Sequence, residues 1–291
     1  MNDEDILNVI EDLNLIYLKK MNNSKKRNNL KLIINSIKTF NFSFAIKRLL
    51  KKRNENAIEK PKKINPILIN SKNNNRVAIY TCITGNYDNV CEPYIIESNC
   101  DYYIFTNNKK INSKVWKKKD IPYEMQNIGG DILINRYIKM HPYELFNEND
   151  YDYAVYIDGN ISIISNISTF CDNTSNKTGL AFHKHYNKTC TYDEMKTCEI
   201  IGKGNCKKIK MQEKKYKKEG FPKNYGLFEC NVIVSNLHNS IGKEILNNWW
   251  SEFEKSSSLR DQICLPYSLW KKGYKSSDIG IIENNVFLNK K

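Results

Sequence analysis

Tyr153-Ala154-Val155-Tyr156-Ile157-Asp158-Gly159-Asn160-Ile161 is the stretch that decides the fold of this 291-residue chain. Continuous Val, Ile and Tyr with no charged residue before Asp158 is the pattern of a strand buried on both faces of a mostly parallel sheet. The run delivers one carboxylate to its carboxyl end, the edge at which open α/β sheets bind ligands. Gly159 permits a tight turn there, and Asn160 adds a second oxygen two residues on. Such oxygens suit magnesium or manganese, which keep water and substrate phosphates in their other positions, so one or two protein ligands suffice. A plain turn after a strand would use the same residues, and this segment alone leaves both readings open.

Working outward, Val77-Ala78-Ile79-Tyr80-Thr81-Cys82-Ile83 reads as a second buried strand. It ends in the polar loop Thr84-Gly85-Asn86-Tyr87-Asp88, a natural seat for a nucleotide. Asp101 to Thr106 reads as a further strand. Between Asp131 and Met140 the period turns helical and places Arg136 and Lys139 three apart on one face. Lys203 to Lys218, with eight Lys and one Glu, reads as a solvated loop. Phe228 to Val234 reads as a strand and Gly242 to Lys255 as a helix, whose adjacent Trp249 and Trp250 are expected in the core. Strands alternating with helices predict an α/β fold with a mostly parallel central sheet flanked by helices.

Charge divides the chain. Lys+Arg 46 against Asp+Glu 32 leaves +14, of which +9 falls in residues 1–75. Residues 1–53 carry apolar side chains at helical spacing among Lys and Arg and read as a basic amphipathic helical arm; residues 54–75, with Pro61 and Pro66, read as a linker; residues 76–291 read as the catalytic domain. A basic arm suits an anionic membrane surface, whereas a nucleic-acid enzyme spreads its charge over the folded body, so no nucleic-acid partner is expected. A helical face packed on the main domain or on a second subunit, as in a homodimer, uses the same pattern. Nine cysteines without a Cys-x-x-Cys pair read as reduced, packed thiols in a cytoplasmic protein. No apolar run approaches the roughly 20 residues that cross a bilayer.

In order, Tyr80-Thr-x-Ile-Thr-Gly-x-Tyr-Asp88, Asp101-Tyr-x-x-Phe-Thr106, Arg136-x-x-Lys139-x-x-Pro142, Tyr156-Ile-Asp-Gly-Asn-Ile161, Gly220-Phe-Pro222, Gly226-Leu-x-Glu229 and Arg260-Asp-Gln262 resemble a glycosyltransferase-like family. Its plant members include a mucilage-synthesis protein and one described as an alkaline ceramidase. The resemblance covers about residues 76 to 275. More distantly, Ile-Asp-Gly-Asn and Arg-Asp-Gln are similar to the Asp-x-Asp and Asp-Gln motifs of GT-A sugar transferases such as glycogenin. The resemblance implies a GT-A-like domain, a nucleotide-sugar donor with UDP-sugar foremost, and a divalent metal, Mn2+ or Mg2+. It also implies a saccharide or lipid-linked acceptor. Asn160 stands where the GT-A Asp-x-Asp pattern has its second Asp, which leaves a weaker metal site or metal-independent binding open.

Glycosyl transfer develops positive charge at the anomeric carbon and negative charge on the departing diphosphate, and a protein must stabilise both. On that reading Asp158, Asn160 and His238 are the metal ligands. Arg136 and Lys139 grip phosphate, and Thr81, Thr84, Asn86, Tyr87 and Asp88 contact base and ribose. Asp261 and Gln262 are expected at the reacting centre, Asp261 as base toward the acceptor or as a sugar-orienting group, with Glu229 its rival. His183 and His185 are further candidates for metal or phosphate. The leading expectation is a hexosyltransferase-like enzyme of bacterial surface-glycan synthesis, of the capsule or lipopolysaccharide type, at the inner membrane face. The alternatives are a hydrolase of the ceramidase-labelled type and a non-catalytic nucleotide- or glycan-binding protein. Against the hydrolase, the chain has no Gly-x-Ser-x-Gly and no His-Glu-x-x-His.

Overall fold

The structure, a computed structural model, describes residues 66–71, 74–85, 90–126, 129–283 and the backbone of 287–289. The arm expected over residues 1–53 lies outside the described residues. Two compact units divide the chain, residues 1–58 with 200–202 and residues 59–199 with 203–291; the second carries the sheet and the site. Its strands are β1 (Ile67–Ile69), β2 (Val77–Cys82), β3 (Ile95–Glu97), β4 (Cys100–Phe105), β5 (Lys117–Lys119), β6 (Tyr153–Ile157), β7 (Ile161–Ile163), β8 (Leu180–Lys184), β9 (Phe228–Asn236), β10 (Gly280–Ile281) and β11 (Phe287–Asn289). The longer helices are α1 (Asp131–Met140), α2 (Thr191–Ile201), α3 (Cys206–Lys218), α4 (Ser240–Ser256) and α5 (Asp261–Lys271).

The central sheet has the order β10-β8-β9-β6-β2-β4-β5. Every strand in it runs the same way except β9, which is antiparallel to both β6 and β8. β2 is buried along its whole length, as its unbroken apolar run demands. Alternate residues feed two cores. Ala78, Tyr80, Ala154 and Tyr156 pack with Ile134 and Ile138 of α1, Trp249 and Phe253 of α4, and Leu265 of α5. Val77, Ile79, Val155 and Ile157 face the other way, against Tyr102, Trp116, Ile163 and Phe170. Trp249 and Trp250 both belong to the first core.

Two segments differ from their sequence reading. The lysine-rich stretch is not a loop: Cys206–Lys218 is helix α3, capped by the Asn205 side chain, which accepts from the Lys208 N–H at 3.2 Å. Ile209, Gln212 and Tyr216 recur at helical spacing and are buried, so a narrow inward stripe suffices to fold a helix whose other faces are lysine. Within the span read as linker, Ile67–Ile69 forms β1 and pairs with β3. All nine cysteines are free thiols. No helix of the described residues is long and apolar enough to cross a membrane.

The turn after β6 is tight for a reason. A Cβ at Gly159 would lie 2.6 Å from Ile83 Cγ1 and 2.7 Å from its Cδ1. Gly159→Ala should therefore lower the unfolding free energy by about 1–3 kcal/mol. Urea denaturation reads this, and an unchanged midpoint would show that Ile83 has room to turn aside.

Candidate active site

Parallel β2, β4, β6 and β8 all end at one edge of the sheet, and antiparallel β9 begins there. Along that edge stand His185 after β8, Glu229 at the start of β9, Asp158 after β6, Thr84 after β2 and Asn107 after β4. Helix α1 lies against the β2 end: the Thr84 hydroxyl donates to the Asp131 carbonyl at 3.0 Å and Asn135 donates to the Cys82 carbonyl at 2.6 Å.

The centre of the site is an ion cluster. Asp261, the first residue of α5, accepts from Lys139 Nζ at 2.7 Å, and its Oδ2 lies 3.0 Å from Arg136 Nε. The carboxylate and the ammonium are buried, with side chains 5% and 2% exposed. Burial works to raise the Asp261 carboxyl, but Arg136, Lys139 and Arg260 outweigh it and hold the group far below the usual carboxylate range. Burial likewise opposes the charge on Arg136, but Asp261, Tyr156 and Asp158 together outweigh it, so the guanidinium stays firmly charged. The Trp249 indole N–H donates to the Asp261 carbonyl at 2.8 Å and the Tyr80 hydroxyl to the Lys139 carbonyl at 3.0 Å, which fixes both backbones. A carboxylate so deep and so strongly paired is a poor proton acceptor, because a general base needs a pKa near the working pH. Its geometry sets Asp261 against the base role expected of it and makes it the anchor of two cations.

Asp158 is different. Its side chain is 34% exposed, Oδ1 accepts from the Tyr156 hydroxyl at 3.0 Å, and Lys139 Nζ lies 3.9 Å away. The Tyr156 hydroxyl is a fixed donor, since burial and then Asp158 push its pKa well above normal. Among the described residues no group of three His, Cys, Asp or Glu converges to hold a metal. One carboxylate suffices only where phosphate oxygens and water fill the other positions. Asp158, with Asn160 two residues on, therefore fits a cation that arrives with a diphosphate better than a resident one.

Glu229 lies on the neighbouring strand, two residues before Asn231, whose carbonyl accepts the Asp158 N–H at 2.9 Å. Its side chain is 30% exposed. Gln262, next to Asp261, donates to the Phe228 carbonyl at 2.9 Å and to Glu229 Oε2 at 3.4 Å, and accepts from Arg260 at 3.1 Å. Gln262 thus orients Glu229. From the other side His185 Nε2 approaches Glu229 Oε1 at 3.5 Å and Glu194 Oε2 at 3.8 Å. His185 Nδ1 accepts the backbone N–H groups of Asn187 and Lys188, which leaves the ring proton on Nε2. Burial lowers the pKa of His185 against the pull of Glu229 and Glu194, so the ring is neutral at pH 7. Glu194 is itself held by Lys188 at 2.6 Å and Arg260 at 3.4 Å.

The structure brings Asp158, Arg136, Lys139, Glu229, Asp261 and Gln262 into one cluster. It does not bring His238. Antiparallel register pairs Tyr153 with Asn236, so His238 sits at the opposite edge of the sheet, where its Nε2 lies 3.3 Å from Asp152 Oδ1. His238 is not a ligand beside Asp158. Thr81 is buried under Gly159, on the face away from Asp158, and Thr84 spends its hydroxyl on α1. Asn86, Tyr87 and Asp88 lie outside the described residues. His183 turns to the Ile282 carbonyl instead. A separate concavity of about 380 Å³, lined among others by Tyr192, Lys196, Glu213 and Lys217, includes no residue of the cluster. Sequence reasoning gave no role to Tyr156, Glu194 or Arg260; Tyr156, two positions before Asp158 on the same face of the strand, and Arg260, next to Asp261, had a local signal, and Glu194 had none.

Residues 114–288 match the family model described as TOD1/MUCI70, glycosyltransferase-like domain. The chain belongs to this family. No curated protein sequence matches the chain. Among solved structures it is similar to the bifunctional glycosyltransferase WbbM, at 12% identity and a TM-score of 0.41, over 82% of this chain and 46% of that one. It is also similar to the galactosyltransferase LgtC in complex with donor and acceptor sugar analogues, at 14% identity and a TM-score of 0.39, over 68% of this chain and 72% of that one. A third is core-mannan synthase A of Aspergillus fumigatus in its Mn/GDP form, at 10% identity and a TM-score of 0.36, over 67% and 69%. The chain thus spans under half the length of the first of these.

In this TOD1/MUCI70 member, replacing Asp261 strands one buried cation, Lys139, and one part-buried cation, Arg136. Asp261→Asn should cost about 3–5 kcal/mol at pH 7. The Asp261 carboxyl is depressed in the folded state, so its contribution is full above the ordinary value of 3.8 and is lost as pH falls below it, where the unfolded chain takes up a proton that the folded one does not. The gap in urea stability between the native chain and the variant should therefore narrow between pH 7 and pH 3. An equal gap at both pH values would contradict the pairing.

Proposed function

We propose that the chain transfers a glycosyl group from a nucleotide-sugar donor to a saccharide or lipid-linked acceptor. What supports this beyond family membership is one juxtaposition: two partly exposed carboxylates, Asp158 and Glu229, on neighbouring strand ends, with a cationic pair behind the first and none bonded to the second. Asp158 and Asn160 would hold a divalent cation brought in with the diphosphate, and that cation would neutralise phosphate charge. Lys139, 3.9 Å from Asp158, and the part-exposed Arg136 meet the negative charge that grows on the leaving group. Both are already fixed on Asp261, so they need no reorganisation as that charge develops.

Glu229 serves the acceptor. The acceptor oxygen forms the new bond to the anomeric carbon, and its proton passes to Glu229. The bond from that carbon to the diphosphate oxygen breaks, with its electron pair leaving on phosphate. Gln262 and His185 hold Glu229 in place from either side. The basic arm over residues 1–53 and the linker that follows fit a catalytic domain held at the inner face of a bacterial membrane, where surface glycan of the capsule or lipopolysaccharide type is built.

Thermal unfolding of the full chain with UDP, GDP and CMP sugars, with and without manganese, tests the reading. One nucleotide should stabilise the protein, and its sugar should be released or transferred. Asp158→Ala should weaken binding of that donor at least about tenfold in calorimetry. Unchanged donor affinity in the variant would remove Asp158 from the account.

A further inference from the structure

Next to Glu229 the sheet edge presents an aromatic face that the chemistry above leaves unused. Tyr186 follows His185 at the end of β8 and is 83% exposed, the most open of the large hydrophobic side chains among the described residues. Its ring is nonetheless placed. It stacks on the His185 imidazole, with centroids 5.0 Å apart and planes 19° apart. His185 cannot swing away, because its Nδ1 is held by the backbone N–H groups of Asn187 and Lys188 and its Nε2 faces Glu229 and Glu194. An exposed tyrosine is thus backed by a buried ring beside a reactive carboxylate.

We infer that Tyr186, braced by His185, is the platform on which a pyranose ring of the acceptor saccharide stacks. The C–H face of a pyranose carries slight positive charge and meets the negative face of an aromatic ring, while the sugar hydroxyls at its rim reach hydrogen-bonding groups. Here that group is Glu229, whose side chain is 30% exposed and which the His185 imidazole approaches from behind. The order of strands gives the side. Tyr186 lies two residues past β8 and Asp158 one past β6, with β9 between the two strands and Tyr186 set further out along the strand direction, since His185 bonds to β9 at Leu227 and Asp158 at Asn231. Glu229 on β9 stands between them, and β2 lies beyond Asp158. A sugar on Tyr186 would therefore approach the anomeric carbon from the Glu229 side, opposite β2.

The inference rests on the transferase reading of the same cleft, and the test separates the two. Saturation-transfer NMR of the full chain with a panel of p-nitrophenyl hexosides, without donor, reads acceptor binding alone. At least one glycoside should receive saturation on its pyranose protons. Tyr186→Ala should weaken its binding about tenfold, while Tyr186→Phe, which keeps the ring, should stay within about twofold of the native chain. Because the side chain is exposed, thermal unfolding of both variants should match the native protein. If no glycoside binds, or Tyr186→Ala binds it as well, the inference is overturned. It is equally overturned if Tyr186→Ala instead weakens binding of UDP, GDP or CMP, since the ring would then seat a nucleobase. Tyr186-dependent glycoside binding without turnover of any nucleotide sugar would uphold the saccharide platform and bring down the transferase reading.

Discussion

The pairing of one buried carboxylate with two cations is the constraint on which the site depends. Asp261 comes from α5, Arg136 and Lys139 from α1, and the two helices meet over the same face of the sheet. A buried charge without a partner is far costlier than one that is paired, so the three groups enforce each other's placement. That placement turns Lys139 toward Asp158. It also sets Gln262, the next residue along α5, against Glu229. One turn of helix thereby tunes both carboxylates: its first residue holds the two cations behind Asp158, and its second donates to Glu229.

The division of labour among carboxylates follows from their surroundings rather than from their chemistry. Asp261 is sealed and permanently ionised, which suits a scaffold. Asp158 and Glu229 are each about a third exposed and can meet a substrate. The antiparallel β9 is what makes this possible. In an all-parallel sheet its first residues would lie at the far edge; reversed, they bring Glu229 beside Asp158 and send the end of the strand, with His238, to the other side.

Much of the fold was legible because burial writes itself into composition. The runs at 77–82 and 153–157 are apolar throughout, which is what a strand covered on both faces requires, and each places its polar residue at the edge where ligands bind. Arg136 and Lys139 were legible as a pair from helical spacing alone. The helix over Cys206–Lys218 was obscured because its inward stripe is only Ile209, Gln212 and Tyr216, diluted by lysine. His238 was misplaced for want of strand direction: nothing in the residues of β9 tells which way it runs. The roles of Asp261 and Glu229 needed depth and partners, since both are acidic residues beside a glutamine contact, and only one is open to solvent.

The most direct measurement is a crystal structure of the full chain with manganese and whichever nucleotide sugar stabilises it. The account predicts a diphosphate on the exposed side of Asp158, with Lys139 and Arg136 behind it, and an anomeric carbon turned toward Glu229. A diphosphate seated elsewhere, for example against Lys196 and Lys217 of the separate concavity with the Asp158 cleft left to solvent, would contradict it.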